Sequence, residues 1–269
     1  MSQHDAHESV KPPVCSRRLR ALFARYLRRY FARHFNAVRI ARDGLPATRL
    51  DRPLIIYSNH PSWWDPIVGM LLADVFFKER ETYGPMDADA LNKYPFFRRL
   101  GVFGVERGTW HGAAQFLRTA EVVLDRPGAI LYLTAEGEFR DPRRRPVTLQ
   151  AGLAHLMRRV DGVVALPLAL EYPFWTERLP ETLVRFGTPI DSEQVARLSV
   201  RDWSTSLAEA LEATMDQLAV EAQARDPSVF HSIIGGGGGV GGVYDVWRRA
   251  KARLTGKPFD AAHMEMGER

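Results

Sequence analysis

Pro53-Leu54-Ile55-Ile56-Tyr57-Ser58-Asn59-His60-Pro61-Ser62-Trp63-Trp64-Asp65-Pro66 carries an apolar run into a polar turn and out again into a second apolar stretch. The first six residues, with two adjacent isoleucines, read as a strand buried on both faces. Asp65-Pro66 opens a helical pattern, with aspartate expected as N-cap and proline at the first helical position. A buried strand feeding a helix through a tight turn is the unit of α/β folds. Their ligand sites collect at the carboxyl ends of the strands. His60 would stand at such an end and Asp65 at the helix start, a base with a carboxylate to orient it. Ser62 lies between them without the Gly-x-Ser-x-Gly elbow of a serine hydrolase. Alone the spacing is a weak signal, since a loop histidine beside a helix start has the same form.

Outward from this stretch the chain alternates. Residues 81–83, 102–105, 129–133, 163–170 and 182–186 read as strands, and 66–73, 112–124, 149–159 and 203–225 as helices. Residues 89–100 read as helical or irregular around Pro95. The alternation predicts an α/β fold, a mostly parallel sheet flanked by helices. An amphipathic helix precedes it. The expected organisation is a disordered N-terminus (1–14), a basic amphipathic helix (15–41), the main domain (42–226) and a glycine-rich hinge with a small appendage (227–269).

The 269 residues suffice for one good core, with 45% hydrophobic and 26% charged residues. No stretch has the length of a transmembrane helix, the longest apolar reach running from Pro66 to Phe77 and containing Asp74. The start of the chain lacks the apolar core of a signal peptide. Cys15 is the sole cysteine, so no intramolecular disulfide forms. Scattered histidines show no zinc-ligand spacing, and neither a metal nor a cofactor is expected.

The net charge is +5 and the pI near 9.5. Its placement is informative: residues 17–39 hold eight arginines and no acidic residue. There Leu19, Leu22, Phe23, Tyr26, Leu27, Tyr30, Phe31, Phe35 and Val38 recur at steps of three and four. This is an apolar stripe opposite an arginine face, suited to the headgroup layer of an anionic membrane. A helix packed on the core with a solvated basic back has the same pattern. Nucleic acid is not an expected partner, because no recognition motif accompanies the charge. Tyr244, Trp247 and their neighbouring basic residues offer a second membrane contact.

Three further blocks follow the histidine turn: Gly101-Val102-Phe103-Gly104-Val105-Glu106-Arg107, Ala135-Glu136-Gly137-Glu138-Phe139-Arg140 and Val164-Ala165-Leu166-Pro167-Leu168. In order, spacing and type, the four blocks resemble those of the 1-acylglycerol-3-phosphate acyltransferases, also called glycerolipid or lysophospholipid acyltransferases. The resemblance implies an O-acyltransferase of phospholipid biosynthesis with an HxxxxD motif. It would move a fatty acyl group from acyl-CoA or acyl carrier protein to a lipid hydroxyl, at the cytoplasmic face of a membrane.

Within it His60 and Asp65 are the catalytic residues, and Arg107, Glu136, Gly137 and Arg140 bind the acceptor. Trp63 and Trp64 are candidates for the acyl channel, with core packing as the alternative. Backbone amides near the histidine turn are candidates for the oxyanion. One departure stands out. The family's small hydroxyl residue and arginine after Glu-Gly are replaced by Glu138 and Phe139, with arginine one place later at Arg140. A carboxylate and a phenyl ring suit a phosphate dianion poorly. Lysophosphatidate is the default acceptor that the resemblance implies, and this departure makes a glycolipid, a carotenoid glycoside or another lysolipid the runner-up. A non-enzymatic membrane adaptor is the alternative from another class. It leaves the His, Asp, Glu and Arg set at strand ends without a purpose.

Overall fold

The computed structural model describes residues 10–46, 52–193 and 198–235. In chain order these form α1 (Arg17–His34), β1 (Ala37–Ala41), β2 (Leu54–Ser58), α2 (Asp65–Phe76), β3 (Glu81–Asp87) and α3 (Ala88–Lys93). A 3-10 turn at Pro95–Arg99 leads to β4 (Val102–Val105), α4 (Trp110–Leu124), β5 (Ala129–Thr134), α5 (Gly152–Arg159), β6 (Val164–Glu171) and β7 (Glu181–Phe186). The short β8 (Ile190–Asp191), α6 (Val200–Ala224), a second 3-10 turn at Pro227–Val229 and β9 (Phe230–Gly235) complete the described chain.

The described strands make one nine-stranded sheet in the order β4-β3-β5-β2-β6-β7-β1-β9, with β8 on β6. β2 is buried at all five positions and runs parallel to both neighbours, β5 and β6. β3 and β4 extend the parallel half, whereas β7 turns back antiparallel to β6. The expected α/β fold with a mostly parallel sheet is the observed one. Alternate side chains of β2 feed two cores. Leu54 and Ile56 meet Leu27 and Phe31 of α1 and Leu71 of α2, while Ile55 and Tyr57 join Leu207 and Leu211 of α6. The side chains from Leu54 to Tyr57 are thus all in apolar clusters, which is why the strand reads as a hydrophobic run.

The N-terminal region departs from expectation. The basic helix does not reach residue 41. It stops at Phe35, whose φ of −123° and ψ of 152° are extended, and Ala37–Ala41 becomes a strand. Val38 and Ile40 are β-branched and buried, and Glu181 fixes the register by accepting from Asn36 at 2.5 Å and Arg39 at 3.0 Å. β1 lies between β7 and β9, so the sheet uses residues on both sides of the expected 42–226 boundaries.

The apolar stripe is split as well. Ala24, Leu27 and Phe31 are buried, whereas Leu22 and Tyr26 are 66% and 56% exposed. Residues 10–14, expected to be disordered, lead into a docked segment. The Val14 carbonyl accepts from the Gly101 amide at 3.0 Å, and Ser16 donates to the Arg99 carbonyl at 2.9 Å. Residues 1–9 and the glycine-rich run with its appendage, 236–269, lie outside the described residues.

Candidate active site

His60 is the second residue beyond the end of β2, and Asp65 opens α2. The intervening turn is tied by its own residues. The Asp65 amide donates to the Ser62 carbonyl at 3.2 Å, and the Trp64 amide to Ser62 Oγ at 3.3 Å. The Asp65 carboxylate does not cap the helix as expected, because it turns back into the turn. Its Oδ2 accepts from His60 Nδ1 at 2.7 Å and from the Ser62 amide at 2.9 Å, and its Oδ1 accepts from the Tyr172 hydroxyl at 2.7 Å. Asp65 is fully buried, which pushes its carboxyl above the usual range against the pull of these three donors.

These contacts favour one tautomer. A carboxylate already receiving an amide proton and a phenol proton is an acceptor toward the imidazole too. The proton therefore sits on Nδ1, and Nε2 presents a lone pair away from Asp65. That is the form a general base needs.

β5 delivers the third block beside this turn. Glu136 is 4% exposed, and its Oε2 accepts from the His60 backbone amide at 2.8 Å. Burial pushes its carboxyl up. One oxygen of the Glu136 carboxylate, expected to bind the acceptor, thus holds the loop that carries the histidine. Gly137 has a φ of +74°, and a Cβ there would lie 2.6 Å from Gln150. A side chain would be strained at this position. Its carbonyl accepts from Arg107.

Arg140 meets the site twice. Its amide donates to the His60 carbonyl at 3.0 Å, and its guanidinium pairs with Glu138 at 2.7 Å. Phe139 is 62% exposed and lies over the imidazole, with ring centroids 4.4 Å apart. Of the backbone amides expected to serve the oxyanion, those of His60, Ser62 and Trp64 are engaged within the site.

The two tryptophans differ. Trp63 is 58% exposed, whereas Trp64 packs between Tyr30, Phe31 and Phe35 of the α1 end, at 5.3, 6.0 and 5.6 Å. Beside Trp64 runs a groove of about 320 Å³ walled by Tyr30, His34, Phe35, Tyr172 and Phe174. Ser62 and Tyr172 belong both to its wall and to the Asp65 network.

Sequence reasoning missed three polar side chains. Asn59 clamps β2 to β6, donating to the Leu170 carbonyl at 3.0 Å and accepting from its amide at 2.9 Å. Tyr132 donates to the Asp65 main-chain oxygen at 3.1 Å. Tyr172 was invisible as a partner, because nothing local marks a tyrosine just past a strand. The parallel pairing of β6 with β2 is the signal that would place it.

Together these features describe an α/β enzyme with a carboxylate-oriented histidine at the carboxyl edge of its central strand. A family model described as Acyltransferase matches residues 26–171, more than half of the chain. The chain belongs to this acyltransferase family, and the protein is an acyltransferase enzyme. No curated protein matches it at a significant level.

Proposed function

We propose that the protein moves a fatty acyl group from a thioester, acyl-CoA or acyl carrier protein, to a hydroxyl of a lipid. The observation that carries this reading is the His60 Nδ1 contact to Asp65 Oδ2 at 2.7 Å, at the end of the central strand. Nε2 takes the proton of the acceptor hydroxyl as its oxygen attacks the thioester carbonyl. The C–O bond forms, the C–S bond breaks, and the proton on the imidazolium goes to the departing thiolate. Asp65 stabilises the imidazolium in between. The Trp64 groove is of a size for one acyl chain.

The acceptor is a lipid alcohol whose recognition does not depend on a phosphate dianion. Arg140 is neutralised by Glu138, Arg107 is turned onto a carbonyl, and Phe139 covers the imidazole. A glycosylated lipid or a phosphate-free lysolipid fits this lining better than lysophosphatidate. The second reading, lysophosphatidate itself, is favoured only by the presence of Arg107 in its block. Matched acceptors with and without the phosphate are expected to differ by less than about tenfold in kcat/KM, below the worth of a charge-assisted hydrogen bond. A preference near a hundredfold that needs both Arg107 and Arg140 contradicts the first reading and establishes the second.

The enzyme works at a membrane surface, on this reading as a peripheral protein of the cytoplasmic face. Among the described residues no helix is long and apolar enough to cross a membrane. Leu22, Arg25, Tyr26, Arg29 and Arg33 are exposed along one face of α1, joining apolar and cationic groups as interfacial helices do. Tyr26 contacts Tyr30 at 5.9 Å and Tyr30 contacts Trp64 at 5.3 Å, an aromatic path from this face to the catalytic turn.

A further inference from the structure

Two tyrosines from the strands flanking β2 hold Asp65. Tyr132 of β5 grips its backbone oxygen at 3.1 Å and keeps its own oxygen 2.9 Å from Ser58 Oγ. Tyr172, just past the end of β6, reaches the carboxylate itself at 2.7 Å. The Asn59 clamp on Leu170 sets where the end of β6 lies against β2, two residues before Tyr172. Tyr172 therefore approaches from one side of β2, opposite the β5 loop that carries Arg140.

A carboxylate can rotate about its last bond and exchange its oxygens. In Asp65, Oδ2 must stay on Nδ1 for the histidine to keep its working tautomer. We propose that Tyr172 is a positioning residue of the catalytic pair, its hydroxyl pinning Oδ1 so that Oδ2 stays on His60. Tyr172 suits the task because burial and the adjacent carboxylate hold its phenol well above the ordinary range, so it remains a donor. Its proton also offsets part of the cost of a buried negative charge.

The groups facing Asp65 are His60 and the Ser62 amide from the turn, Tyr172 past β6, and Tyr132 and Glu136 from β5. Glu136 opposes the Asp65 charge, and Arg140 lies beside Glu136 and offsets it. Removing the Tyr172 donor leaves burial and Glu136 with less opposition. Asp65 then takes a proton more readily, and the base fails at higher pH than before.

This inference rests on the His60–Asp65 mechanism above. Tyr172→Phe in the full chain, assayed with palmitoyl-CoA and an accepting lipid, is expected to lower kcat about ten- to a hundredfold. KM should change little, and the acid limb of the pH profile should move to higher pH. Because Tyr172 also walls the groove, a loss confined to KM with an unmoved limb overturns the proposal. In an Asp65→Asn background the same substitution should cost far less, since both act through one contact. Independent, multiplying losses overturn it. His60→Ala separates the layers. If that variant is inactive while Tyr172→Phe keeps wild-type kcat and limb, only the role of Tyr172 falls. If His60→Ala stays active, both fall.

Discussion

His60→Ala is expected to lower turnover by roughly two to four orders of magnitude while leaving the fold intact. The fold should survive because the His60 backbone carries the structural bonds. Its amide goes to Glu136 and its carbonyl receives Arg140, and truncation leaves both in place. Asp65 would keep the Ser62 amide and Tyr172 as partners, so no buried charge is orphaned. Asp65→Asn should be milder but clearly damaging. An amide has one acceptor oxygen, whereas the imidazole, the Ser62 amide and Tyr172 all present donors. Steady-state kinetics with matched thermal unfolding decides the matter. Full activity in folded His60→Ala removes the mechanism.

Phe31→Ala is expected to cost about 3–5 kcal/mol of stability, the usual loss for a large ring taken out of a core. Phe31 is fully buried, stacked on Phe35 at 4.7 Å and edge-on to Trp64 at 6.0 Å. Leu22→Ser and Tyr26→Ser, on the exposed face of the same helix, should stay within about 0.5 kcal/mol. They should weaken binding to anionic vesicles instead. The arginines of that face contribute roughly 1 kcal/mol each when well placed, an attraction that salt weakens. Denaturant midpoints and vesicle flotation at two salt concentrations separate the two faces. Unchanged stability in Phe31→Ala contradicts the core role of α1. Undiminished flotation of both serine variants moves the anchor elsewhere, with the Trp247 segment as the next candidate. Deleting residues 1–40 would be a poor substitute, since it removes most of β1 from between β7 and β9.

The central parallel strands were legible because they are buried on both faces, and 54–58, 129–133 and 163–170 read as apolar runs. β1 was not, because Arg33, Phe35, Val38 and Arg39 continue a helical period across a boundary. That boundary is set by tertiary bonds to Glu181. β9 was lost in the same way, with His231 and Ser232 exposed on an outer strand beside a glycine run. β3 was seen only where it pairs with β5. Gly84 and Pro85, which pair with β4, look like a turn in sequence.

Within the site, the residue types and their grouping were legible, since His60, Asp65, Glu136, Gly137 and Arg140 do meet. Their division of labour was not. Whether Glu136 faces a substrate or the His60 amide depends on where the β5 loop folds relative to β2. Tyr172 depends on β6 in the same way. Such cross-strand contacts leave no local period in the chain.

The most direct test of the central claim follows palmitoyl-CoA with the purified full chain and a panel of lipid alcohols. Free thiol and extracted acylated lipid are measured together, for the wild type and for His60→Ala. Thiol release matched one for one by acylated lipid, abolished by His60→Ala, is the expected result. Thiol released as free fatty acid, or acylated lipid formed equally well without the imidazole, would contradict it.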